Sequence, residues 1–136
     1  MMATMVLVGR FSVFALYHQV QVRDAADGGT CPEWETGEER VLAGEQCIVL
    51  ATRLDLAGPV EIEVWVGAHP EQPAGWLLFD GELLTTGQGV VVGSSLTEEL
   101  YPIPLAIGWH PVRIYADRPK EPARFTVLFD HEGAGS

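Results

Sequence analysis

Lysine is almost missing from this chain of 136 residues: Lys120 is the only one, and with seven arginines it brings the bases to 8 against 19 acids. A net charge of −11 excludes a general phosphate-backbone binder, because nothing in the chain would neutralise a row of phosphates. The same charge speaks against an anionic membrane surface and for a basic protein partner. No stretch reaches the roughly 18 consecutive apolar residues of a membrane span. The apolar start, Met1 to Leu16, is broken by Arg10 and has neither a basic lead nor a small-residue cleavage site, so it is not read as a signal peptide.

The chemistry of metal sites and nucleophiles is equally sparse. Cys31 and Cys47 are too few for a disulfide framework, and the expectation is two reduced thiols in a cytoplasmic protein. His18, His69, His110 and His131 each stand alone, with no His-x-His, His-x-x-x-His or Cys-x-x-Cys spacing, so no metal and no other cofactor is expected. Nothing local activates Cys31 as a nucleophile. Ser94 and Ser95 follow Gly93 without a nucleophile-elbow motif. The glycines of Gly87 to Gly93 lead into valines rather than a helix N-terminus, so they read as a hairpin turn and not as a phosphate cradle. The carboxylate pairs Glu61/Glu63 and Asp80/Glu82 sit on one face of a strand with no means of raising a pKa, which argues against glycosidase chemistry. The expectation is a protein that is not an enzyme.

What is present is period-2 alternation. Val60, Ile62, Val64 and Val66 oppose Glu61, Glu63 and Trp65; Val112, Ile114 and Ala116 oppose Arg113, Tyr115 and Asp117. Phe125, Val127 and Phe129 oppose Arg124, Thr126, Leu128 and Asp130, and Leu77, Phe79 and Leu83 oppose Asp80 and Glu82. An earlier strand from Leu16 puts His18, Val20 and Val22 on its apolar face, which makes His18 a core histidine. Such alternation places one face on a core and one in water. Cys47 to Leu54 and Val90 to Val92 are more uniformly apolar and read as central strands. Turn chemistry at Asp27 to Gly29, Ala57 to Pro59, His69 to Gly75, Thr86 to Gly89 and Arg118 to Pro122 separates the runs. Thr36 with Glu39 has capping-box spacing, so Thr36 to Ala43 is the best place for a helix. The expected fold is all-β: a two-layer antiparallel β-sandwich, jelly-roll or Ig-like, with seven to nine strands and at most one short helix. The length suits a single domain over 1–136, with 133–136 a frayed tail.

Charge is unevenly spread along the chain. Residues 24–45 carry seven acids and one base, and residues 54–112 carry eight acids and no base at all. Acids steer a basic partner, and aromatics concentrate at interface centres. The candidate partner-binding residues are therefore Glu33, Trp34, Glu35, Glu38 and Glu39 in the first segment, and Glu61, Glu63, Trp65, Asp80 and Glu82 in the second. A solvated sheet face with a partly covered tryptophan would give the same pattern. Two further readings stand beside this one. Trp65, Trp76, Trp109 and Tyr115 would serve a carbohydrate or small-ligand sandwich if two or more lined one groove. An edge strand that pairs with a second copy would serve an assembly subunit; the oligomeric state is left open.

Tyr17-His18-Gln19-Val20, then Pro32-Glu33-Trp34 in a polar loop, then a glycine-containing stretch into Ile48, resembles the competence protein J family. The likeness covers mainly residues 16–50, with a looser correspondence of strand pattern beyond. Its best-known member inhibits a nuclease of DNA uptake. The resemblance implies a cytoplasmic inhibitor or immunity-type protein and brings no catalytic residues. Tyr17, His18, Gln19 and Trp34 match the pattern; packing the loop onto the first strand and touching a partner are both open to them. The chain departs from the family in its glycine content and in its near-exclusive use of arginine among its bases.

Overall fold

The computed structural model describes residues 5–15, 18–26, 31–34, 39–53, 57–67, 75–87, 89–94 and 99–130. In chain order the strands are β1 (Met5–Val13), β2 (Gln19–Asp24), β3 (Val41–Ala43), β4 (Cys47–Ala51), β5 (Val60–Gly67), β6 (Trp76–Thr85), β7 (Val90–Ser94), β8 (Glu99–Ile103), β9 (Gly108–Ala116) and β10 (Arg124–Asp130). They form two five-stranded sheets, ordered β1-β5-β10-β9-β6 (sheet I) and β3-β4-β2-β7-β8 (sheet II). The all-β sandwich expected from alternation is what forms. The ten strands among the described residues exceed the expected seven to nine, because β1, β3 and β8 leave weak signals. A bulge between Leu7 and Gly9 breaks the alternation of β1, β3 has three residues, and Pro102 interrupts β8.

One face of each strand fills the space between the sheets. Ile62, Val64, Ile114, Phe125, Val127 and Phe129 of sheet I meet Val20, Val22, Ile48, Leu50, Val90 and Ile103 of sheet II, all essentially without exposure. Each such side chain contributes about 1.5–3 kcal/mol relative to leaving it in water. At one side the layers close through Phe11 of β1 stacked on Tyr101 of β8, with ring centroids 4.4 Å apart. Gly93 (φ +141°) lets β7 approach β8 closely, since a Cβ there would run into the carbonyl of Glu99.

Several expectations need correction. The sandwich is not purely antiparallel: β10 runs parallel to β5, because the hairpin from β9 returns into the slot beside β5. The segment considered for a helix ends in β3, where Val41, Leu42 and Ala43 pair with Leu50, Val49 and Ile48, and strand pairing outweighs the capping-box signal; Thr36 to Glu38 lie outside the described residues. His18 is exposed, with a left-handed backbone (φ 57°) just before β2 that swings it off the apolar face. The core histidine is instead His110 on β9, 1% exposed, whose Nε2 donates to the carbonyl of Ala106 at 2.6 Å. Between β6 and β7 the chain passes from sheet I to sheet II, so Thr86 to Gly89 closes no hairpin; Gln88 lies outside the described residues. The two cysteines are not thiols: Cys31 and Cys47 form a disulfide with Cα atoms 5.2 Å apart. β4 turns Cys47 away from the core, toward residues 31–34, which are held on the outside of sheet II through Cys31–Cys47 and Trp34–Gln19. That cover explains why Val49, Gln21 and Gly93, which face outward in register across sheet II, are all buried.

Candidate docking surface

The outer face of sheet I carries the acids that the alternation singled out. Glu61 and Glu63 point outward from β5 with Trp65, whose Nε1 donates to Glu63 Oε1 at 3.2 Å. Neither carboxylate is free. The antiparallel register with β1 sets Arg10 opposite Glu63, and the parallel register with β10 sets Arg124 opposite Glu61. Both form ion pairs at 3.0 Å. These exposed pairs are worth about 0–1 kcal/mol each, but they cancel the local charge. A stretch without a base in sequence thus acquires two bases in space. Arg10, Glu61, Glu63, Asp117, Arg124 and Thr126 line an open cleft of about 600 Å³ whose walls carry both signs.

Asp80 and Glu82 lie at the far edge of the same sheet, on β6, and are in a different state. Both are exposed, and among the described residues neither carboxylate makes an ion pair or a hydrogen bond. Arg113, opposite Asp80 on β9, makes no ion pair with it. Asp80, Arg113, Leu128 and Asp130 line a shallow recess of about 210 Å³. At the start of β6, Trp76 and Leu77 are 56% and 51% exposed. Asp80 and Glu82 were expected as partner-binding residues; Leu77 was expected on the apolar face, and the bulge between Leu77 and Phe79 takes it out of that alternation.

The acidic segment that follows β2 divides. Asp24 is fully buried and belongs to the fold. It accepts hydrogen bonds from the Thr86 hydroxyl (2.6 Å), the Gln46 amide (2.9 Å), and the backbone N–H groups of Thr86 and Ala26 (3.2 Å each). Glu33 is exposed, Glu39 is partly buried, and Glu45 is exposed at the β3–β4 turn. Glu35, Glu38 and Tyr17 lie outside the described residues. Trp34 Nε1 donates to Gln19 Oε1 at 2.9 Å, so two members of the matched pattern meet and hold the loop on β2. Beneath this cover the Gln21 Oε1 and Arg23 Nε atoms are buried without a hydrogen-bond partner.

The aromatic side chains do not share a groove. Tyr115 is 3% exposed, and Trp65 is half-buried against Glu63. Trp76 pairs with Ala116 and Trp109 with Leu84, at opposite ends of the β6–β9 ladder, roughly 25 Å apart at the usual strand rise. The carbohydrate reading required two rings on one groove and loses its geometric basis.

No family model matches the sequence, and no curated protein matches it. Among solved structures the chain is similar to the crystal structure of ComJ from Bacillus subtilis, described as the inhibitor of the DNA degrading activity of NucA. The TM-score is 0.67, over 93% of this chain and 98% of that one, at 10% sequence identity. At that identity the likeness speaks for the fold.

Proposed function

We propose that the chain is a protein inhibitor that docks on a nuclease and carries no catalytic chemistry of its own. The observation that carries this reading is the fold shared with ComJ along nearly the full length of both chains. The Tyr17-His18-Gln19 and Trp34 pattern leads to the same family independently of the coordinates. The net charge of −11 suits a partner whose DNA-binding cleft must be basic. In this reading the contact is made by carboxylates that are exposed and unpaired, namely Glu33, Glu45, Asp80 and Glu82. Glu61 and Glu63, already held by Arg124 and Arg10, contribute less. Fold alone does not assign function, so the test is direct. The chain is mixed with the NucA-type nuclease of its own organism and passed over a sizing column with light scattering. A species with the summed mass of both proteins is expected; separate elution at micromolar concentrations of both contradicts the reading.

A further inference from the structure

Four strand edges border the two sheets, and three of them are blunted or unsuited to a basic partner. β3 has only three residues, and β8 carries Pro102, which offers no N–H. β1 is bulged between Leu7 and Gly9 and presents apolar side chains and Arg10. The fourth, β6, is ten residues long and contains no proline; it too is bulged, between Leu77 and Phe79, but its pairing with β9 is regular from Phe79 to Thr85. Its backbone orientation can be read from one bond: the N–H of Leu84 points away from β9 and donates to the carbonyl of Glu45 at 2.8 Å. Backbone groups two residues apart in a strand point the same way. The N–H and C=O groups of Glu82 and Asp80 therefore also point outward, and among the described residues no partner takes their N–H groups. Pro111, opposite Glu82 on β9, has no N–H to give, in keeping with a non-hydrogen-bonded pair at that position.

From this edge we infer that β6 is where the chain receives its partner: an extended basic segment of the nuclease adds as a further strand of sheet I. The inference rests on the inhibitor reading and names the surface it uses. The carbonyl of Glu45 occupies the outward N–H of Leu84, so the stretch left for an added chain runs from Trp76 to Glu82. Asp80 and Glu82 flank the open backbone groups and offer two unpaired carboxylates to lysine or arginine of the incoming strand, while Trp76 and Leu77 give it an apolar anchor at one end. A second copy is a poor occupant. Antiparallel self-pairing about Gly81 would set Asp80 of each copy opposite Glu82 of the other, and like charges directly opposite are destabilising. Arg113 stands opposite Asp80 one strand inside and forms no ion pair with it.

The test measures affinity for the same NucA-type nuclease by calorimetry. Glu82→Pro removes one outward N–H, at an edge position where proline is tolerated. Asp80→Asn/Glu82→Gln removes the charges and leaves the backbone intact. Glu121→Lys, on the loop before β10, changes net charge elsewhere. We expect Glu82→Pro and the double amide variant each to weaken binding at least tenfold, with Glu121→Lys within about twofold of wild type. Unfolding midpoints accompany each variant, and if the proline variant fails to fold the double amide variant decides. Wild type that binds, with both β6 variants unchanged, overturns the inference and leaves the inhibitor reading standing. Wild type that does not bind overturns both. A dimer of the chain alone that Glu82→Pro dissolves also overturns the inference, because a second copy would then hold the edge.

Discussion

Asp24 is a carboxylate buried without a cation, and its environment decides its chemistry. Burial raises the carboxyl; the Thr86 hydroxyl, the Ala26 N–H, the Gln46 amide and the Thr86 N–H outweigh burial and hold it below its ordinary value of 3.8. A carboxyl depressed in the folded state contributes stability that is fully present above the unfolded value and is lost as pH falls through the lower folded value. Asp24→Asn should therefore cost about 1–3 kcal/mol at neutral pH in urea unfolding. The gap to wild type should begin to close as the pH drops below about 4, from the ordinary carboxylate value toward the lower folded one. A gap that stays constant down to pH 2 would contradict this account. Gly93 poses a steric question instead. Gly93→Ala forces a Cβ against the Glu99 carbonyl at φ +141°, and thermal unfolding should reveal a loss of about 1–3 kcal/mol. Neither residue stood out in the sequence: Asp24 was one acid in an acidic run, and Gly93 was one glycine of a turn-like cluster.

At the scale of elements, what was legible and what was not have a common physical reason. Strands with one wet face announced themselves: β5, β9 and β10 follow the alternation of Val60 to Val66, Val112 to Ala116 and Phe125 to Phe129. The interior positions of β4 and β7 followed from their uniformly apolar residues. Pairing between strands is not written locally. That Arg10 and Arg124 come to rest on Glu63 and Glu61 depends on β1 and β10 flanking β5, and no count of charge along the chain reveals it. The disulfide is hidden for the same reason, since Cys31 and Cys47 meet only once residues 31–34 lie on the outer face of sheet II. That bond ties 16 residues of separation, and a loop of this size is worth about 3 kcal/mol by loop-closure entropy. Cys31→Ala/Cys47→Ala should lower the unfolding free energy by about 2–4 kcal/mol. Maleimide labelling of the denatured chain should find no free thiol before reduction and two after it. Two free thiols before reduction would contradict the bond.

For the molecule as a whole, net charge says less than where the charge is free. The outer face of sheet I is balanced at β5 and unbalanced at β6, so among the described residues the unpaired acids reach the solvent at the β6 edge, at Glu33 and at Glu45. A partner drawn to such an edge should associate faster at low ionic strength, with the rate falling as salt screens the acids over about 10 Å. Stopped-flow mixing of chain and nuclease from 20 mM to 500 mM salt is expected to give roughly a tenfold or larger drop in association rate; a flat profile would remove electrostatic steering from the account.

The central claim, that this sandwich silences a nuclease by occupying it, is tested most directly by titrating the chain into a DNA-cleavage assay of the NucA-type enzyme from the same organism. Cleavage should fall linearly and vanish near one equivalent of chain. Undiminished cleavage at a tenfold excess would contradict the claim.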